Sequence, residues 1–222
     1  MLRIEAVTKN FNHRSQIVTG LRNVTLDIPK GDFVSVVGPS GSGKSTLLLI
    51  LGGMLSPSEG RVLFDGRSLY DLTPDQRARI RKQEIGFVFQ TFNLMPYLTA
   101  LENVQIPLLL AGVDNGSQKR KATAMLERIG LADRLDHKPS ELSVGQKQRV
   151  ALARVLANDP SVILADEPTG NLDPDTSKQI IAFLKEINQE GRTIVMVTHD
   201  PNAAQRAKRT LRLVEGAILS EE

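Results

Sequence analysis

A chain of 222 residues is long enough for one large domain, and 41% hydrophobic residues fit an ordinary globular core. Cysteine is absent, which excludes disulfides and thiolate metal sites and fits a reducing compartment. The net charge of +3 comes from interspersed charges, a balance that makes no case for a nucleic-acid partner.

The opening, MLRIEAVTKNF, carries Arg3, Glu5 and Lys9 where a secretion signal needs an apolar core, so none is expected. Leu2 to Val7, Val24 to Ile28, Phe33 to Val37 and Arg61 to Phe64 alternate in strand fashion. Turn signals at Pro29-Lys30-Gly31 and Asp65-Gly66 separate them, and the spacing predicts antiparallel strands.

Phe33 to Val37 also ends on Gly38 and leads into an apolar helical run through Leu47, Leu48, Ile50, Leu51 and Met54. The loop between them, Gly38-Pro39-Ser40-Gly41-Ser42-Gly43-Lys44-Ser45, satisfies the P-loop pattern between a strand and a helix, the context that pattern demands. Glycines let backbone N–H groups turn inward on phosphates, and the helix adds its positive dipole end. Gly38, Ser40, Gly41, Ser42, Gly43 and Thr46 are therefore candidate nucleotide-binding positions. Lys44 is expected to reach the β- and γ-phosphates, and Ser45 to ligate Mg²⁺.

Gln90 closes a short apolar strand, GFVFQ. Its amide is a candidate for ligating Mg²⁺ and positioning water, weighed against an ordinary surface glutamine. From about Pro96 to Asn158 the pattern is mostly helical, with apolar positions at Ala122, Met125, Leu126 and Ile129 and a stop at Gly130. No stretch reaches the roughly 20 apolar residues of a membrane span. Leu47 to Leu55 is too short, and Leu94 to Val113 is interrupted by Glu102, Asn103, Gln105 and Pro107.

The stretch Glu141-Leu142-Ser143-Val144-Gly145-Gln146 precedes a helix beginning KQRVALARVL. A hydroxyl, free N–H groups and a helix dipole make Ser143, Gly145 and Gln146 a second candidate anion site. The helix mixes Gln148, Arg149 and Arg154 with Val150, Leu152, Val155 and Leu156, which predicts an amphipathic element with a solvated basic side.

Two short apolar strands follow, Val162 to Ala165 and Thr193 to Val197. Between them a helix runs through Ile180, Ile181, Phe183, Leu184 and Ile187 and closes at Gly191. That alternation predicts a parallel sheet, with ligands beyond the strands' carboxyl ends. Asp166 ends the first of these strands and is the expected partner of Mg²⁺. Glu167, pointing to the other side, is the candidate general base on an attacking water. Asp173 stands before Pro174 as an N-cap. His199 ends the next strand on the same sheet edge and is expected to contact the γ-phosphate.

Taken together, the P-loop, Gln90, the LSVGQ stretch, Leu164 to Pro168 (LADEP), Asn171-Leu172-Asp173 and His199 resemble the ATP-binding cassette ATPases, end to end and in that family's order. The wording of Ile85 to Val104 and Ala165 to Asp173 is similar to the branch serving macrolide-efflux, lipoprotein-release and cell-division-type permeases. The resemblance implies an α/β fold: a P-loop NTPase core with a mixed sheet, an antiparallel β subdomain and an inserted α-helical subdomain. Residues 1–222 then form one domain, with the helical part at about 92–160.

It further implies an ATP hydrolase using Mg²⁺ and coupled to a separate integral membrane permease. The segment Gln90 to Tyr97 would be the contact, and the place of work the cytoplasmic face of the cell membrane. Phe11 falls where the family stacks an aromatic on adenine, and Asp173 joins the nucleotide-binding set. A second cassette subunit is implied, expected to be a copy of this chain, whose LSVGQ loop closes over the ATP on the first chain's P-loop. Val144 departs from the family's usual glycine, and a β-branched residue tolerates neither positive φ nor a crowded ligand well. Two rivals stand beside the transport motor: a cassette that regulates a membrane partner without transport, and a soluble P-loop kinase.

Overall fold

A computed structural model describes residues 1–13 and 16–221. The chain runs through β1 (Leu2–His13), β2 (Gln16–Ile28), β3 (Phe33–Val37), α1 (Lys44–Leu51), β4 (Glu59–Phe64) and β5 (Arg67–Ser68). Then come α2 (Pro74–Glu84), β6 (Ile85–Val88), α3 (Ala100–Leu110), α4 (Asn115–Arg128) and α5 (Val144–Leu156). The last part holds β7 (Val162–Asp166), α6 (Pro174–Gln189), β8 (Thr193–Val197), α7 (Pro201–Ala204), β9 (Arg209–Val214) and β10 (Ala217–Glu221).

Two sheets form. One is antiparallel, in the order β2-β1-β4-β5, and the other has the order β10-β9-β3-β8-β7-β6. In the second sheet β9, β3, β8, β7 and β6 are mutually parallel, and β10 adds an antiparallel edge. The grouping of Phe33 to Val37 with the antiparallel strands is thus corrected, because β3 pairs in parallel with β8 and β9. Its first four residues are all buried, as a strand covered on both faces must be.

The two faces of the parallel sheet divide by strict alternation. Val34, Val36, Val162, Leu164, Val195 and Val197 pack with α1 and the antiparallel sheet. Phe33, Ile163, Ala165, Ile194 and Met196 pack under α5 and α6 through Leu152, Leu156, Ile180, Leu184 and Ile187. A third cluster joins α3, α4 and α5 through Val104, Leu108, Leu126, Val150 and Ala153. Helix α5 therefore has two working faces, one on the sheet and one on the helical group. Among the described residues no helix is long and apolar enough to cross a membrane.

Candidate functional site

The phosphate loop hangs between the end of β3 and the start of α1, where space and dihedrals both select glycine. A Cβ on Gly38 would stand 2.0 Å from the Leu213 carbonyl oxygen, and one on Gly43 would stand 2.2 Å from that of Gly20. Gly41 and Gly43 also carry φ of 79° and 102°, the left-handed region that side chains disfavour. Among the described residues six of the seven α-helices carry a side-chain cap on their N-terminal N–H groups; α1, which opens at Gly43, has neither a side-chain cap nor an acidic residue in its first turn.

Its uncapped N–H groups lie next to Ser42, whose buried Oγ has no hydrogen-bond partner among the described residues. The ammonium of Lys44 donates to the Gly38 and Pro39 carbonyl oxygens at 2.9 and 3.0 Å, so it sits folded over the loop. Unfilled donors and a cation in one cradle fit an oligophosphate.

The carboxyl ends of β7 and β8 supply the acids and the histidine. Burial pushes the Asp166 carboxyl above the usual range, and Glu167 adds to this; the Ser45 hydroxyl and Lys44 charge beside it pull the other way. Glu167 stands one residue past β7 at φ 48°, and its N–H donates to Val197 O at 2.9 Å. This left-handed turn, uncommon for a residue other than glycine, helps part the two carboxylates. The Glu167 carboxylate accepts the His199 backbone N–H at 3.3 Å and lies 2.8 Å from His199 Nδ1. The base candidate is thus oriented by the histidine expected on the same edge.

Gln90 joins this group. A Cβ on Gly170 would stand 3.1 Å from Gln90 Nε2 and 3.5 Å from Glu167 Cβ, so the amide faces the turn that follows Glu167. That turn donates back through Asn171 Nδ2 to Gln90 O at 3.3 Å. Among the described residues no cluster of three His, Asp or Glu side chains could hold a metal. Ser45, Gln90 and Asp166 offer one carboxylate and two neutral oxygens, a hard set that suits Mg²⁺ completed by phosphate and water oxygens.

Ser143 and Gln146 turn out to be partners. The Ser143 hydroxyl accepts from Gln146 N at 3.2 Å, and the Gln146 amide oxygen accepts from Ser143 N at 2.8 Å, a capping box at the head of α5. The helix begins at Val144 rather than Lys147. Val144 has an ordinary negative φ, and its side chain is 45% exposed. Gly145 is buried against α6, where a Cβ would stand 2.6 Å from Thr176 Cγ2. Among the described residues no hydrogen bond joins residues 143–146 to residues 38–46. Asp173 caps α6, accepting from Asp175 N and Thr176 N at 3.1 and 3.0 Å.

Phe11 is no core residue: it is 37% exposed, and its ring rests on Gly20, whose added Cβ would meet Phe11 Cε2 at 2.7 Å and Thr46 Cγ2 at 3.5 Å. The ring thus lies near Thr46 at the rim of the phosphate loop, with the Lys9 ammonium 5.3 Å from its centroid. The solvated basic side expected for α5 needs correction. Gln148 is buried, donating to Pro168 O at 2.7 Å, and Arg154 donates to Asn93 O at 2.5 Å and to Phe92 O at 2.9 Å. Sequence reasoning missed both as functional candidates, since their acceptors are backbone carbonyls of distant loops.

The family model described as ABC transporter matches residues 21–170. An uncharacterised ABC transporter ATP-binding protein of Methanocaldococcus jannaschii, MJ0796, is 48% identical over 227 residues, covering 100% of this chain and 97% of its own length. The macrolide export ATP-binding/permease protein MacB of Bdellovibrio bacteriovorus is 47% identical over 222 residues. This chain spans 34% of that protein's length. Among solved structures, the dimeric post-hydrolysis state of the MJ0796 ATP-binding cassette, bound to ADP and Pi, superposes with a TM-score of 0.94 at 45% identity, covering 100% of this chain and 98% of that one.

Proposed function

The chain belongs to the ABC transporter family as one of its ATPase cassettes, and from that premise we propose that it is the ATP-hydrolysing motor for an integral membrane permease, acting in pairs on the cytoplasmic face of the membrane. One observation carries the reading. The uncapped phosphate loop shares a sheet edge with Asp166, Glu167 and His199, while the Ser143 cap, a second anion-seeking helix end, is not bonded to that loop. Two chains packed by a two-fold axis give each loop its missing lid.

In this reading the loop N–H groups and Lys44 hold the triphosphate, and Phe11 stacks on the adenine. Ser45, Asp166 and Gln90 would hold Mg²⁺, which when bound would supply neutralisation of phosphate charge. Glu167 takes the proton of the water that attacks the γ-phosphorus, as the bond from that phosphorus to the β-phosphate oxygen breaks and ADP leaves. His199 holds the Glu167 carboxylate through Nδ1, leaving Nε2 for the γ-phosphate. Lys44 and the opposite chain's signature loop stabilise the charge spread over the transferred group.

We assign the permease contact to the loop after Gln90, where Met95 and Tyr97 are 54% and 86% exposed. Asn103, fully buried, fixes that loop by accepting from Met95 N at 2.8 Å and donating to Met95 O, Leu98 O and Thr99 O.

The test is Glu167→Gln. Turnover is expected to fall about 10²–10⁴-fold with ATP affinity retained, and the variant is expected to form an ATP-dependent dimer in size-exclusion chromatography. ADP release is measured without any acceptor, which separates this motor from a kinase. Wild-type turnover in the variant would remove Glu167 from its role.

A further inference from the structure

Helix α5 is fastened at three places, and each belongs to a different part of the ATP machinery. Its head is the Ser143–Gln146 box. Its second turn holds the loop after Glu167, through Gln148 Nε2 donating to Pro168 O at 2.7 Å. Its last turn holds the loop after Gln90, through the Arg154 fork on Phe92 O and Asn93 O.

The Arg154 contact is costly to build. Among the described residues the guanidinium has no carboxylate partner, and burial pulls its pKa below the ordinary value. One of its acceptors, Asn93, sits at φ 48°, left-handed backbone that a bulkier residue would resist. A planar fork spanning two successive carbonyls fixes both the position and the orientation of that backbone, which a single-point ammonium does not.

We propose that Arg154 is a positioning residue that couples the Gln90 loop to the Ser143 end of α5, so that nucleotide engaged by Gln90 in one site adjusts the lid that the same chain offers to the other site. The proposal rests on the paired-motor reading and adds a relay between its two sites. The helix suits the task because both of its faces are packed, Leu152 and Leu156 on the sheet and Val150 and Ala153 on the helical group, so strain applied at its last turn passes along it to its head.

The experiment compares wild-type chain with Arg154→Gln and Arg154→Lys by steady-state ATP hydrolysis over a range of ATP, by binding of a fluorescent ATP analogue and by thermal unfolding. Cooperative hydrolysis is expected in the wild type. Arg154→Gln is expected to bind the analogue within about twofold of wild type, to lose about tenfold in kcat and to drop to a Hill coefficient of one. Arg154→Lys should fall between the two. If Arg154→Gln unfolds, Arg154→Lys carries the comparison.

Unchanged kcat and Hill coefficient in a folded variant would overturn the relay. So would losses of analogue binding and kcat in equal proportion, the signature of a merely structural residue. A wild-type Hill coefficient of one would also overturn the relay, since no coupling would be left for Arg154 to carry, whereas full specific activity in a strictly monomeric preparation at high dilution would overturn the paired-motor reading itself.

Discussion

Val144 and Gly145 are neighbours at the head of α5, directly after the Ser143 cap, and the structure asks different things of them. Val144 is the first residue of α5, with a negative φ and a side chain nearly half exposed, so nothing in its backbone or surroundings selects glycine. Gly145 has no room for a methyl group beside Thr176. Val144→Gly should therefore cost only the added freedom of the unfolded chain, about 1 kcal/mol, or about 2–4 °C in Tm. Its turnover should stay within about threefold of wild type. Gly145→Ala should lower both Tm and turnover further, because α6 or the cap must move to admit the new carbon. Thermal melts and ATPase rates of the two variants side by side check this. A tenfold gain in the Val144→Gly chain would show instead that the valine blunts the site.

At the scale of elements, helix caps separate structure from function. Ser143 caps α5 and is proposed to meet the phosphate of the opposite chain, so alanine would confound the two roles. Aspartate does not: it is as good an N-cap as serine, and it favours the helix dipole. Ser143→Asp is thus expected to hold Tm within about 2 °C of wild type while its carboxylate repels the phosphate it should meet, lowering turnover at least about tenfold. Full turnover in that variant would take Ser143 out of the site.

The same scale explains what could be read in advance. The places of the motif residues, at strand ends and helix starts, were legible because a glycine loop and short apolar strands mark those boundaries in the sequence. Helix α2 was not, although Thr73 and Gln76 form a capping box: none of its residues is buried, so no apolar period marks it. The first strand was read only as far as Val7, because register shifts between Ile4, Val7, Lys9 and Asn10 and the left-handed Ala6 break the alternation beyond it. Arg154 looked like a solvated charge because its acceptors, 61 and 62 residues away, are main-chain oxygens without side-chain signature.

At the scale of the whole molecule, the proposed function gives each chain two half-sites, a loop at the uncapped start of α1 and a capped helix end at α5, and among the described residues no hydrogen bond joins them. If hydrolysis takes place between chains, these halves can be knocked out separately and restored by mixing. Lys44→Ala should leave a chain with an intact Ser143 end and no working cradle. Ser143→Asp should leave an intact cradle and a spoiled lid. Each alone is expected to be nearly inactive. In an equal mixture half of the dimers are mixed, and each mixed dimer holds one complete site of two. Activity should recover to about a quarter of wild type if the two sites act independently, and to less than that if the Arg154 relay couples them, but in either case well above the sum of the two variants. Recovery should scale with protein concentration, because assembly of the mixed pair is a second-order step. A mixture no more active than the sum of its parts, across concentrations at which the wild type is fully active, would place both halves in one chain and remove the seam between subunits as the seat of hydrolysis.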